Sequence, residues 1–106
     1  YVVFEVISKS GLSDASAVSS SIEDSALHFL GQLGTAKAGI MVLNNKWNPD
    51  LQRGIIKVSN KHVDALKASL SLARKSNNQD VIFRSLGVSG ILKKAEAKYL
   101  RTVNEV

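Results

Sequence analysis

The chain has 106 residues, 44% of them hydrophobic and 22% charged, with no cysteine and a formal net charge of +5. That length fits a single domain over residues 1–106 with one core, and the lack of cysteine excludes disulfides and thiolate metal sites. No apolar run approaches the roughly 20 residues of a membrane span and no secretory signal opens the chain, so a soluble, cytoplasmic protein without a membrane partner is expected. It begins at Tyr1 with no initiating methionine, from which a missing leader is expected.

The charge is unevenly placed. Residues 1–36 set Lys9 against Glu5, Asp14, Glu23 and Asp24, a net of −3. Residues 37–106 set thirteen bases against Asp50, Asp64, Asp80, Glu96 and Glu105, a net of +8. Such asymmetry points to a polyanion, nucleic acid above all, as partner.

YVVFEVIS (1–8) is rich in β-branched residues and reads as a buried strand. Ser13 is the expected cap of a long helix, whose Val18, Ile22, Ala26, Phe29, Leu30 and Leu33 fall on one apolar stripe ended by Gly34. AKAGIMVLN (36–44) and GIIKVS (54–59) read as a second and third strand joined by the loop NKWNPDLQ. Asn60 is expected to cap a second helix carrying Val63, Leu66, Leu70 and Ala73. VIFRSL (81–86) is a fourth strand, and 90–102 a third helix with Ile91, Ala95 and Tyr99 as its seam.

The order βαββαβ plus a terminal helix predicts an α+β, ferredoxin-like sandwich: a four-stranded antiparallel sheet with two helices on one face, strand order 4-1-3-2. Strand alternation then turns Val2, Phe4, Val6, Ile56 and Val58 toward the helices. It leaves Val3, Glu5, Ile7, Ile55, Lys57 and Arg84 on an open face, with Glu5 between Lys57 and Arg84.

Arg53-Gly54 resembles the start of an RNA-recognition signature, but the positions that should stack bases are Ile55 and Lys57, which cannot. His28 and His62 lie on different helices without partners at ligand spacing, and Glu23-Asp24 point in different directions. Nothing assembles a nucleophile with a base and an orienting group, so the chain is not expected to be an enzyme on its own. Trp47 has two readings: it stacks on RNA or fills a partner's pocket, or it folds back to cap the core.

SLGVSGILKKAEAKYLR (85–101) is the most suggestive segment. Ser89 is placed to cap the third helix, and Gly87 and Gly90 would let backbone approach a ligand. Lys93 and Lys94 occupy the first turn, where the helix dipole disfavours cations unless an anion sits there. Lys94, Lys98 and Arg101 continue at i, i+4 and i+7. The competing reading is a solvated basic face.

FEVIS (4–8), HFLGQLGTAKAGI (28–40), RGIIKVS (53–59) and LGVSGILKKA (86–95) together resemble the ribonuclease P protein component 2 family, the archaeal counterpart of the eukaryotic Pop-five subunit. The resemblance spans nearly the whole chain, and Gly-Val-Ser-Gly followed by basic residues is its most specific part. It implies a non-catalytic subunit that supports ribonuclease P RNA in removing the 5′ leader of precursor tRNA. The RNA with its magnesium would carry the chemistry, and this chain would bind no cofactor.

The partners so implied are the RNA, a TIM-barrel-like subunit called protein component 3, precursor tRNA indirectly, and a second copy of the chain in a heterotetramer. Lys93, Lys94, Lys98, Arg101, Ser89 and Gly90, with Lys46 and Arg53 as a second tier, are the expected RNA contacts. Val3, Ile7, Ile55 and Trp47 are the expected protein contacts, and the glycine-flanked turn 31–39 the expected place of self-association. Family members usually carry a basic leader and often a threonine where Ile91 stands here. The runner-up function is a ferredoxin-like interaction module without a nucleic-acid role. An acylphosphatase-like enzyme is set aside because SKSGLS after the first strand has no arginine.

Overall fold

The computed structural model describes residues 1–76 and 79–100. The elements are β1 (Val2–Ser8), α1 (Ala15–Ala38), β2 (Met41–Val42), β3 (Arg53–Lys57), α2 (Val63–Leu72), β4 (Lys75–Ser76), β5 (Gln79–Val88) and α3 (Leu92–Ala95). A π-type turn over Glu96–Leu100 continues α3. The strands form an antiparallel sheet in the order β2-β3-β1-β5-β4. Counted from the β2 edge, the first four strands follow the predicted ferredoxin-like order, with β5 as the fourth, and β4 adds a two-residue edge pairing that the sequence did not announce.

Alternation along β1 builds the main core. Val2, Phe4 and Val6 pack with Val18 and Ile22 of α1, Leu66 and Leu70 of α2, and Ile56, Val81 and Phe83 of the neighbouring strands. Each such side chain, fully buried, contributes about 1.5–3 kcal/mol. The Phe4 ring is the centre: Trp47 stacks on it at 6.0 Å and 17°, and Phe83 meets it tilted at 6.1 Å. Two serines at the helix–helix contact are satisfied locally, whereas the Trp47 indole nitrogen and the Thr35 hydroxyl are buried without a partner among the described residues. The Ser25 hydroxyl donates to the Ser69 carbonyl at 2.6 Å, joining α1 to α2, and the Ser69 hydroxyl donates to Leu66 O at 2.9 Å.

Several boundaries differ from the sequence reading. Asp14, not Ser13, caps α1, its carboxylate accepting from the Ser16 N–H at 2.9 Å. The helix runs past Gly34 to Ala38 and ends on left-handed Gly39, but it breaks at Gly31 (φ 74°, ψ 175°). That break takes the following turn off the straight 3.6-residue stripe: Leu33 is 69% exposed, and Phe29 just before it 49%. The segment 31–39 is therefore kinked helix and cap rather than a turn. Asn60 opens a 3₁₀ turn before α2 instead of capping it. β2 is two residues long, β3 starts at Arg53, and β5 extends beyond 81–86 in both directions.

The largest correction concerns the sheet's far side. Val3 and Ile55 do point away from α1 and α2, but both are 0% exposed. With Ala95 of α3 they form a second small core, flanked by Tyr1, Leu43, Leu86, Leu92, Tyr99 and Leu100. The face expected to be open is closed over these residues by the chain's own C-terminal helix.

Gly54 shows how tightly the first core is set. A Cβ there would lie 2.7 Å from Phe4 Cζ and 3.1 Å from Trp47 Cε3. Phe4 is fully buried between neighbours and cannot swing clear. Gly54→Ala should therefore destabilise the fold by about 1–3 kcal/mol in a denaturant titration followed by Trp47 emission.

Candidate nucleic-acid interface

The segment after β5 begins as a pairing between chain regions far apart in sequence. The Tyr1 backbone nitrogen donates to the Ser89 carbonyl at 2.9 Å, and the Ser89 N–H donates to Tyr1 O at 2.9 Å. The Ser89 hydroxyl then closes a local turn, accepting from the Ile91 N–H at 3.1 Å and donating to Ile91 O at 3.0 Å. Ser89 is thus not the helix cap. Ile91 holds that position in extended conformation, with no side-chain cap bond, and α3 starts two residues later than expected.

Gly87 does not play the role the sequence suggested. At Gly87 a Cβ would overlap the Tyr99 hydroxyl, so the missing side chain makes room for the chain's own aromatic ring. At Gly90 a Cβ would meet nothing within 4 Å. One turn of helix capped by Ile91 is not a phosphate cradle, and the lysines must be judged as side chains.

α3 rests on the sheet through Leu92, Ala95, Tyr99 and Leu100, while Ile91, expected in the seam, is exposed. Three polar clasps hold it. Arg53 donates from Nη1 to the Tyr99 carbonyl at 3.0 Å and from Nε to Glu5 Oε2 at 3.1 Å. Asn48 donates from Nδ2 to the Leu100 carbonyl at 2.9 Å. Lys46 Nζ pairs with Glu96 Oε1 at 2.7 Å, both side chains about a third exposed. Two of these clasps satisfy carbonyls at the helix's end that lack intrahelical partners.

Glu5 is a hub, but not between the residues expected. The β1–β3 register sets it opposite Arg53, and β5 sets it opposite Arg84, whereas Lys57 lies across from Met41. Its carboxylate takes Arg53 on one oxygen and Arg84 on the other at 3.0 Å. The side chain of Arg84 is 59% exposed and that of Glu5 17%, so the Arg84 bond is the weaker structural contribution.

The residues singled out for RNA therefore separate into two groups. Lys93, Lys94 and Lys98 are exposed on α3 and the turn after it, and none takes part in an ion pair among the described residues. Lys98 Nζ lies 5.4 Å from the Tyr99 ring centroid, a cation–π contact that steadies it without neutralising it. Lys46 and Arg53 are committed to holding α3. Arg101 lies outside the described residues.

Of the residues expected at a protein partner, Val3 and Ile55 present no surface and Trp47 is folded onto Phe4. Ile7 stays 46% exposed beside its cross-strand neighbour Ile82. Reasoning from sequence put Ala95 and Tyr99 in the seam, as found, but missed Asn48, Glu96 and Tyr1 as residues that seat α3. The only available signal was the apolar seam of the terminal helix, which implied that something must cover it.

This seating gives a test. Gly87→Ala should lift Tyr99 and loosen α3, lowering stability by about 1–3 kcal/mol. Amide exchange should accelerate over 96–100 while β1 and β5 stay protected; unchanged exchange there would show that Tyr99 does not anchor the helix.

Comparison with known proteins supports one assignment. Residues 1–100 match the model of the Rpp14/Pop5 family. The chain is 36% identical over 100 residues to ribonuclease P protein component 2 of Pyrococcus abyssi, covering 94% of this chain and 82% of that protein. The protein of the same name from Thermococcus kodakarensis is 34% identical, covering 94% and 81%. That of Methanocaldococcus jannaschii is 33% identical over 102 residues, covering 94% and 71%. With a match along nearly its entire length and the two-layer fold described above, the chain belongs to the Rpp14/Pop5 family.

Proposed function

We propose that this chain is a protein subunit of ribonuclease P that binds the catalytic RNA and stabilises it for removal of 5′ leaders from precursor tRNA in the cytoplasm. The observation that carries the reading is the cationic face of Lys93, Lys94 and Lys98, unpaired among the described residues and held against the sheet by Tyr99 and the clasps of Arg53, Asn48 and Lys46. Clasping the turn that continues α3 fixes where these charges stand. Fixed cations lower the repulsion between phosphates brought close in a folded RNA, and each phosphate neutralised contributes roughly 0.7–0.9 to the salt dependence of binding.

The division of labour is the one the family resemblance implies. The chain contributes charge and shape, and the RNA with its bound magnesium performs the hydrolysis. Gly90 lies beside the lysines and offers backbone contact to the same strand of phosphates, with Ser89 fixing the turn that presents it. Arg84, exposed and only half of Glu5's ion pairing, is a further contact.

The protein partners fall on other surfaces. Ile7 and Ile82 form an exposed apolar pair on the uncovered end of the sheet, which suits a seat for protein component 3. Leu27, Phe29 and Leu33, exposed around the kink of α1, suit association with a second copy. No helix among the described residues is long and apolar enough to cross a membrane.

Reconstitution tests the proposal. Ribonuclease P RNA and the partner subunit, mixed with this chain, should cleave precursor tRNA over a wider salt range than without it. Changing Lys93, Lys94 and Lys98 to alanine should abolish that gain and make the salt slope of RNA binding shallower by roughly 2–3. Equal rescue by both proteins would remove these lysines from the interface. Salt-insensitive binding of the partner alone, with no effect on the RNA, would instead make the chain an interaction module.

A further inference from the structure

A cleft of about 300 Å³ lies where the loop between β2 and β3 meets the end of α3, lined by Asn45, Lys46, Trp47, Pro49, Glu96 and Leu100. Its size sits at the lower end of small-molecule sites, enough for a nucleoside and too small for a folded segment of another chain. We propose that this cleft binds one unpaired nucleotide of an RNA strand. The proposal deepens the reading of the chain as a ribonuclease P subunit, and rests on it for the source of the nucleotide.

The chemistry is that of a base with its phosphate. Trp47, Pro49 and Leu100 make an apolar wall. The Trp47 ring is backed by Phe4, stacked at 6.0 Å, so it is held rather than free to rotate. A rigid aromatic wall costs little to use and accepts the edge or face of any base. Asn45 is exposed at the rim and brings an amide that both donates and accepts, as base edges require.

The opposite rim is the Lys46–Glu96 pair at 2.7 Å. One oxygen of Glu96 faces Lys46, and the second remains an acceptor for an exocyclic amino group of a base. The Lys46 ammonium has three donors and this contact occupies one, leaving it able to meet a phosphate. The same pair neutralises Glu96, which would otherwise repel RNA, while Lys93, one turn earlier on α3, is exposed and unpaired among the described residues.

The floor is preorganised. Asn48 donates to Leu100 O at 2.9 Å and accepts from the Leu51 N–H at 3.1 Å, tying the loop to the helix from inside. Its amide is spent on the scaffold, and recognition falls to Asn45, Lys46 and Glu96.

The chain has a single tryptophan, so both selectively excited emission and the lone indole N–H resonance report on this cleft. The full chain is titrated with adenosine 5′-monophosphate, with a short oligoadenylate and with ribose 5-phosphate. Saturable quenching and a shifted indole resonance are expected with the first two and not with the third. The oligomer should bind at least about tenfold tighter than the mononucleotide, because it adds phosphate contacts along α3. Asn45→Leu, at an exposed position, should keep a dispersed folded spectrum and weaken the mononucleotide by about tenfold.

Four results would overturn the proposal in distinguishable ways. Equal affinity for monomer and oligomer would make this a free-nucleotide site. An equal response to ribose 5-phosphate, or an Asn45→Leu variant that binds as well as wild type, would remove base recognition. An indole that ignores nucleotides but shifts on adding protein component 3 would make the cleft a protein contact. An inert cleft in a chain that still binds ribonuclease P RNA sinks the nucleotide site alone, whereas loss of both sinks the subunit reading as well.

Discussion

The guanidinium of Arg53 joins the two layers on which the far side of this molecule depends. It reaches Glu5 on the neighbouring strand and the Tyr99 carbonyl at the end of α3, so one side chain ties sheet to helix. The contact is partly buried, where a charged hydrogen bond is stronger than in water and a missing partner costs more. Without it the Tyr99 carbonyl and the Glu5 carboxylate would each lose a donor. The small core of Val3, Ile55 and Ala95 supplies the apolar share of the same attachment.

This attachment sorts the positive charge. A basic chain offers many lysines and arginines to a polyanion, but those spent on internal acceptors are less available to phosphate. Lys46 and Arg53 hold the C-terminal helix, and Lys93, Lys94 and Lys98 are what the helix displays. The cations that hold the element thus come from β3 and the loop before it, and the unpaired ones from the element itself. The covering helix also takes the place where the sheet of an RNA-recognition domain would stack bases, so any base contact must move to its edge, where Trp47 lies.

The arrangement of glycines follows the same logic. Gly54 admits the Phe4 ring on the inner face, and Gly87 admits Tyr99 on the outer face. Each marks a close approach within the chain rather than to a ligand. The Gly-Val-Ser-Gly segment reads as the hinge between a strand and its cover, with Tyr1 and Ser89 paired across its base.

Local patterning of the residues was enough to establish the element order apart from β4, the arrangement of the other four strands and the face of β1 that meets the helices. These depend on local patterning: Val2, Phe4 and Val6 alternate with period two, and Val18, Ile22 and Ala26 recur with helical period, whatever lies elsewhere in the chain. The kink at Gly31 was less legible, since a glycine inside a helical pattern is usually tolerated as helix.

Long-range packing settled that the outer face is covered, that Glu5 takes Arg53 rather than Lys57, and which lysines are unpaired among the described residues. Arg53 and Tyr99 are 46 residues apart, and Asn48 and Leu100 are 52 apart. Strand register and the docking of a single helical turn arise from packing between such distant segments, and no periodicity within either segment encodes them.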